Sequence, residues 1–131
     1  MKFARYVFLS AGIYGILLIA PMYFMEAQVG ADYPPSITHP EHFYGFIGVT
    51  LAWQVLFIML SRNPVRYRMM MLPSILEKFS FAITVLWLFA QNRVPVPLVG
   101  FGLVDAVLGV LFIVSFVKTR GAEATIPVAA S

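Results

Sequence analysis

The chain predicts an all-α integral membrane protein, a four-helix bundle whose termini both lie on the cytoplasmic side. Three observations predict it. Of 131 residues, 60% are hydrophobic and only 11% charged, with a mean hydropathy of +0.85. A soluble domain this short could not bury so much apolar surface, because small folds leave a large share of their surface in water. The apolar residues also gather into stretches at 6–25, 43–60, 69–90 and 98–117, close to the roughly 20 residues a helix needs to cross a bilayer. Finally, Lys2, Arg5, Arg62, Arg66, Arg68, Lys118 and Arg120 fall on one side of these stretches and only Arg93 on the other. Basic flanks stay in the cytoplasm, which places both termini and the 61–68 loop inside and the first loop outside. The membrane domain covers 1–120, and 121–131 reads as a loose tail of small residues.

The same composition removes several function classes. There is no cysteine, hence no disulfide exchange, thiolate metal site or cysteine nucleophile. The net charge of +3 sits in span flanks and forms no basic stripe, so nucleic acid is not an expected partner. The expected partners are the lipid bilayer and either another membrane subunit or further copies of the chain. No glycine-rich phosphate fingerprint occurs, both histidines lie at the outer edge of one helix, and no cofactor is expected. Lys2 and Arg5 precede the first apolar run, and Val29-Gly30-Ala31 weakly resembles a signal-peptidase site. That run is about 20 residues, longer than a signal h-region of roughly 7–15, and is read as a retained span.

In the first span, Ala4, Phe8, Ala11, Gly15, Leu18 and Met22 recur at steps of four and three, a seam whose small residues let helices approach closely in lipid. Tyr6, Ser10 and Tyr14 form a second stripe, read as hydroxyls bonding to backbone or a neighbouring helix, with Tyr14 able instead to line a polar interior. Glu26–Thr38 is expected to be a loop, given Gly30, Asp32 and Pro34-Pro35. Thr38-His39-Pro40-Glu41 then fits a capping box. The rival is a metal site of His39, Glu41 and His42. With two histidines on one wet helix start and no third ligand of the usual spacing, capping is preferred and no metal is assigned.

The second span carries Gly45, Gly48, Ala52, Val55 and Met59 on one face, read as its packing seam. Trp53 and Gln54 lie near mid-membrane, Trp53 packing inside the protein or lining a cavity and Gln54 bonding across helices. The three arginines of the 61–68 loop read as a topology anchor, being fewer than a typical lipid-headgroup cluster of 4–8. The third span begins between Met69 and Pro73. Gln91–Pro97 is a short connector with extended backbone at its prolines. The last span places Gly102, Asp105, Ala106 and Gly109 on one face, so Asp105 points at a helix neighbour.

The third span also holds Glu77 and Lys78. Buried together they cost roughly 5–7 kcal/mol on insertion scales, against roughly 3–6 kcal/mol returned by that span's Leu, Ile, Phe and Val residues. This helix therefore depends on its companions. Its polar face reads Ser74, Glu77, Phe81, Thr84, Leu88 and Gln91, with Ser80 beside it. Side chains lean towards their own helix N-terminus, so Glu77 is expected to lean inward and Asp105 outward, and no close carboxylate pair is expected. Lys78 has two exits, snorkelling to the cytoplasmic head groups, which is preferred, or reaching up to Asp105 as a buried ion pair.

Charged groups inside a bilayer mark functional sites by default. The candidate intramembrane polar site is therefore Glu77, Lys78, Asp105, Gln54, Thr84, Tyr14 and Trp53, with His39, Glu41 and His42 at the outer mouth. Four short spans and the segment Gly102-Leu-Val-Asp-Ala-Val-Leu-Gly-Val-Leu-Phe112 resemble the DoxX-like group of small bacterial membrane proteins. That resemblance implies a four-helix bundle in the plasma membrane and an accessory role beside membrane redox enzymes, and it transfers no catalytic residue. Sterol-isomerase-like EXPERA proteins are similar in size and membrane carboxylates. They motivate one alternative, a lipid-modifying enzyme using Glu77 or Asp105 as general acid or base; the other alternative is a small proton-coupled carrier with Glu77 as its titrating site. The expected function is a non-catalytic accessory or assembly subunit.

Overall fold

A computed structural model describes residues 2–121; the tail expected at 121–131 lies outside the described residues save for Gly121. Its α-helices are α1 (Lys2–Ile19), α2 (Glu26–Asp32), α3 (Pro40–Arg62), α4 (Met71–Ala90) and α5 (Val96–Lys118). Two 3₁₀ segments extend this frame, Ala20–Phe24 after α1 and Arg68–Met70 before α4. With them, four helical units, each of 23 residues, are long and apolar enough to cross a membrane: Lys2–Phe24, Pro40–Arg62, Arg68–Ala90 and Val96–Lys118. Among the described residues there is no strand.

The segment expected to be a loop contains α2. Glu26, Ala27 and Gln28 favour a helix, Glu26 sits in the first turn where the macrodipole welcomes an anion, and Gln28 donates to Asp32 Oδ1 at 2.9 Å one turn on. The breakers act only from Tyr33 onward. The chain then returns across Gly30, where a Cβ would lie 3.1 Å from the Ser36 Cα. The capping box does not form either. His39 is the N-cap of α3, without a side-chain bond, because Pro40 takes the first helical position one residue later than the pattern requires. At the far end of α4, Asn92 adopts a left-handed φ of 58° and the Arg93 N–H donates to the Leu88 carbonyl at 2.9 Å. This is a Schellman-type stop. Pro95 is extended, as expected, but Pro97 already lies in the first turn of α5.

The bundle consists of two tight pairs, α1 with α3 and α4 with α5, joined mainly where α1 meets α5. At the end holding the 62–68 loop the interior is solid. Phe8, Phe57 and Phe112 meet there, Phe8 stacked on Phe112 at 4.1 Å and Phe57 edge-on to it at 5.1 Å. Ala4, Ala11, Leu60 and Met71 close around them.

The α1 seam follows Ala4, Phe8, Ala11 and Gly15 as predicted, then turns to Ile19 where Leu18 was expected. The α5 seam is also as predicted, since Gly102 receives Val85 and Gly109 receives Phe79 of α4. The α3 seam is not. Gly45, Ala52, Val55 and Met59 are exposed, and the buried face is Ile47, Gln54, Phe57, Leu60 and Ser61. The small residues that admit this bulky face belong to α1, where a Cβ on Gly12 would lie 2.7 Å from Ile58 Cγ1. On α4 the buried line is Met71, Ser74, Lys78, Ala82 and Val85. It is turned by about one residue from the predicted polar face, towards the glycines of α5. Ser80, Thr84 and Gln91 are left exposed.

Candidate functional site

Lys78 stands at the centre of that buried line, its residue 3% exposed. Its Nζ lies 3.5 Å from Asp105 Oδ1 and 3.7 Å from Glu77 Oε2, and 5.2 Å from the centroid of the Phe57 ring. Snorkelling is therefore overturned, and the two carboxylates expected to diverge converge on one ammonium. The reason is the register between α4 and α5, set by a residue read only as a topology anchor. Arg68 is buried, donating from Nε and Nη2 to the Phe116 carbonyl at 3.1 and 2.8 Å and from Nε to Thr119 Oγ1 at 3.1 Å. It also lies over the Phe116 ring at 3.7 Å. From Arg68 to Lys78 the helix rises about 15 Å, and from Phe116 back to Asp105 about 16 Å. The ammonium and the carboxylate thus reach the same height. A charged donor placed directly before a span, with a Thr just past the final helix, is the signal that could have pointed to this anchor.

Beyond the triad the bundle is hollow. A cavity of about 550 Å³ separates the two helix pairs in the half that carries α2. Glu77, Lys78, Asp105 and Gln54 lie at its base, one to three turns below Phe46, Leu98 and Phe101. The walls are mainly apolar, and Met25, Val29, Asp32, Tyr33 and Ile37 of the segment around α2 line its far end. Of the predicted candidates, the cavity brings together Glu77, Lys78, Asp105, Gln54 and Tyr14, whereas Thr84 and Trp53 stand outside it. Thr84 faces away from the bundle, and Trp53 packs on the phenylalanine core, 6.3 Å from Phe57. All three hydroxyl residues of that stripe are exposed, and of them Tyr14 lines the cavity. The cavity residues missed in the sequence, such as Met22, Val29 and Ile37, look like ordinary span or loop residues.

Gln54 does not bond across helices as expected. Its Nε2 donates to the Thr50 carbonyl of its own helix at 2.9 Å, and its Oε1 is pressed against Gly15. Among the described residues, Gln54 Oε1 and Glu77 Oε2 are the buried side-chain atoms without a hydrogen-bond partner.

His39, Glu41 and His42 do come together. Glu41 Oε1 lies 3.2 Å from His39 Nδ1 and 3.8 Å from His42 Nε2, and the three ligand atoms fall within 4.8 Å of one another. All three side chains are largely exposed. They sit at the positive end of the α3 dipole, which disfavours a cation, and outside the main cavity.

The chain matches no family model, no curated protein and no solved structure. The chemistry of the cavity must therefore stand on its own residues. Its base offers two carboxylates on a fixed ammonium, and its walls offer hydrocarbon and aromatic contact.

Proposed function

We propose that this chain is a multi-pass protein of the bacterial plasma membrane, with both termini and the 62–68 loop cytoplasmic, that binds an amphiphilic molecule from the outer half of the bilayer. The observation that carries the reading is the cavity of about 550 Å³ with a buried charge cluster at its base. Small-molecule sites typically occupy roughly 300–1,000 Å³, with apolar walls and a few convergent polar groups. Charges that served only to pair helices would be closed over by side chains, as the phenylalanine-centred half is. An amphiphile fits both parts, its polar end on Glu77, Lys78 and Asp105 and its hydrocarbon along the walls. The accessory role implied by the DoxX-like resemblance is compatible with this, as a subunit that holds a membrane-borne ligand beside an enzyme. Acid–base chemistry by Glu77 or Asp105 would act on the same bound molecule.

The test is native mass spectrometry of the protein released from nanodiscs, comparing wild type with Leu18→Trp, which puts an indole into the cavity wall. Wild type should retain a one-to-one small molecule that the variant loses. A wild-type protein that never carries one overturns the reading.

A further inference from the structure

The accessible surface of the charge cluster is not symmetric. The Lys78 side chain is only 4% exposed, held between its partners and over Phe57, whereas the Glu77 and Asp105 side chains keep 18% and 17% of their surface. Both line the cavity, so what a ligand meets at the base is mainly the two acidic side chains, with the nearly buried ammonium behind them. The count of charges points the same way. The charged residues lining the cavity are Asp32, Glu77 and Asp105 against Lys78 alone. Glu77 Oε2 is itself fully buried and faces the Lys78 ammonium at 3.7 Å, so the surface that Glu77 keeps towards the cavity belongs to the rest of its side chain. The aromatic side chains are placed to help. Phe81 lies one turn beyond Glu77 on α4 and Phe101 one turn from Asp105 on α5, both on the cavity wall, where a ring face attracts a cation.

From this surface we infer that the ligand is a cationic amphiphile, a protonated amine on a hydrocarbon chain, whose N–H groups bond Glu77 and Asp105. The inference rests on the amphiphile-binding reading and narrows it. An anionic head would face two carboxylates, and a hydroxyl would supply one donor and no charge. An ammonium supplies both N–H donors and a charge that balances the excess of carboxylates over Lys78.

The experiment titrates dodecylamine, dodecanol and dodecanoate into nanodisc-embedded protein by calorimetry, with empty nanodiscs subtracted. Three variants accompany wild type: Glu77→Gln, Asp105→Asn and Leu18→Trp. Each carboxylate variant leaves Lys78 paired with the other acid, and thermal unfolding checks that both fold. Dodecylamine should bind at least roughly tenfold tighter than dodecanol, and dodecanoate weakest. Glu77→Gln and Asp105→Asn should each weaken the amine by roughly tenfold and the alcohol by much less, since the alcohol brings no charge, and Leu18→Trp should abolish all binding. Equal binding of amine and alcohol, or an amine preference untouched by both carboxylate variants, overturns the cationic head and leaves the amphiphile reading in place. If none of the three binds while native spectra still show a retained molecule, the cationic head fails alone. If none binds and nothing is retained, both fail.

Discussion

Gln54 of α3 fills the space that a side chain on Gly15 of α1 would need: a Cβ built there would overlap its Oε1 and sit 2.7 Å from its Cγ. The pair lies at the junction of the solid and hollow halves of the bundle. Gly15→Ala should therefore destabilise the protein by about 1–3 kcal/mol, the usual range for overpacking. Gln54→Ala in the same chain should restore most of that loss. Thermal unfolding in detergent of the two single variants and the double variant measures this. Additive losses would show that the two residues do not compete for one space.

Lys78 is the only cation within ion-pair distance of Glu77 and Asp105 among the described residues. Replacing it by Met leaves two carboxylates facing one another across a medium that solvates them poorly. Removing one partner of a buried ion pair typically costs about 3–5 kcal/mol, and Lys78→Met should lose that much. Adding Asp105→Asn to Lys78→Met should recover a substantial part, because the repulsion disappears. Thermal unfolding in nanodiscs checks both, and a mild Lys78→Met would mean that the cluster contributes little to the fold.

The positions of the four spans were readable because a bilayer dictates length and hydropathy, and both are one-dimensional. Which face of each span packs was readable only in part. In lipid, apolar residues on the two faces of a helix are equally at home, so the small residues become the main clue. That clue works for Gly102 and Gly109 of α5, which receive α4 side chains. It fails on α3, because the contact needs small residues on one helix only, and Gly12 and Gly15 of α1 provide them. The Lys78–Asp105 pairing could be named beside snorkelling but not chosen over it, for a different reason. It depends on the register of α4 against α5, and that register hangs on Arg68 gripping residues 48 and 51 positions away.

Arg68 should accordingly behave unlike its neighbours. Arg68→Ala removes two bonds to the Phe116 carbonyl, one to Thr119 and a stacked ring. Hydrogen bonds to a charged group contribute about 1.5–3 kcal/mol, and a loss of about 2 kcal/mol or more is expected. Arg68→Lys should recover little of it, since an ammonium cannot reproduce the planar fork. Arg62 and Arg66 are exposed, and their alanine variants should stay within about 0.5 kcal/mol. A thermal-shift series over the three arginines separates the anchor from the flanks, and equal effects at all three would remove Arg68 from that role.

The orientation can be read out directly because the chain has no cysteine of its own. Ser36 and Asn63 are both exposed, at opposite ends of the bundle. With the basic flanks held in the cytoplasm, Ser36→Cys should react with a membrane-impermeant maleimide on intact cells, and Asn63→Cys only after permeabilisation. The consequence reaches the cavity. It lies in the half that carries α2, so labelling at Ser36 puts its far end at the outer leaflet and Lys78 below it, where an amphiphile would enter from outside. The reverse labelling pattern would turn the same cavity towards the cytoplasm and reassign its ligand to the inner leaflet.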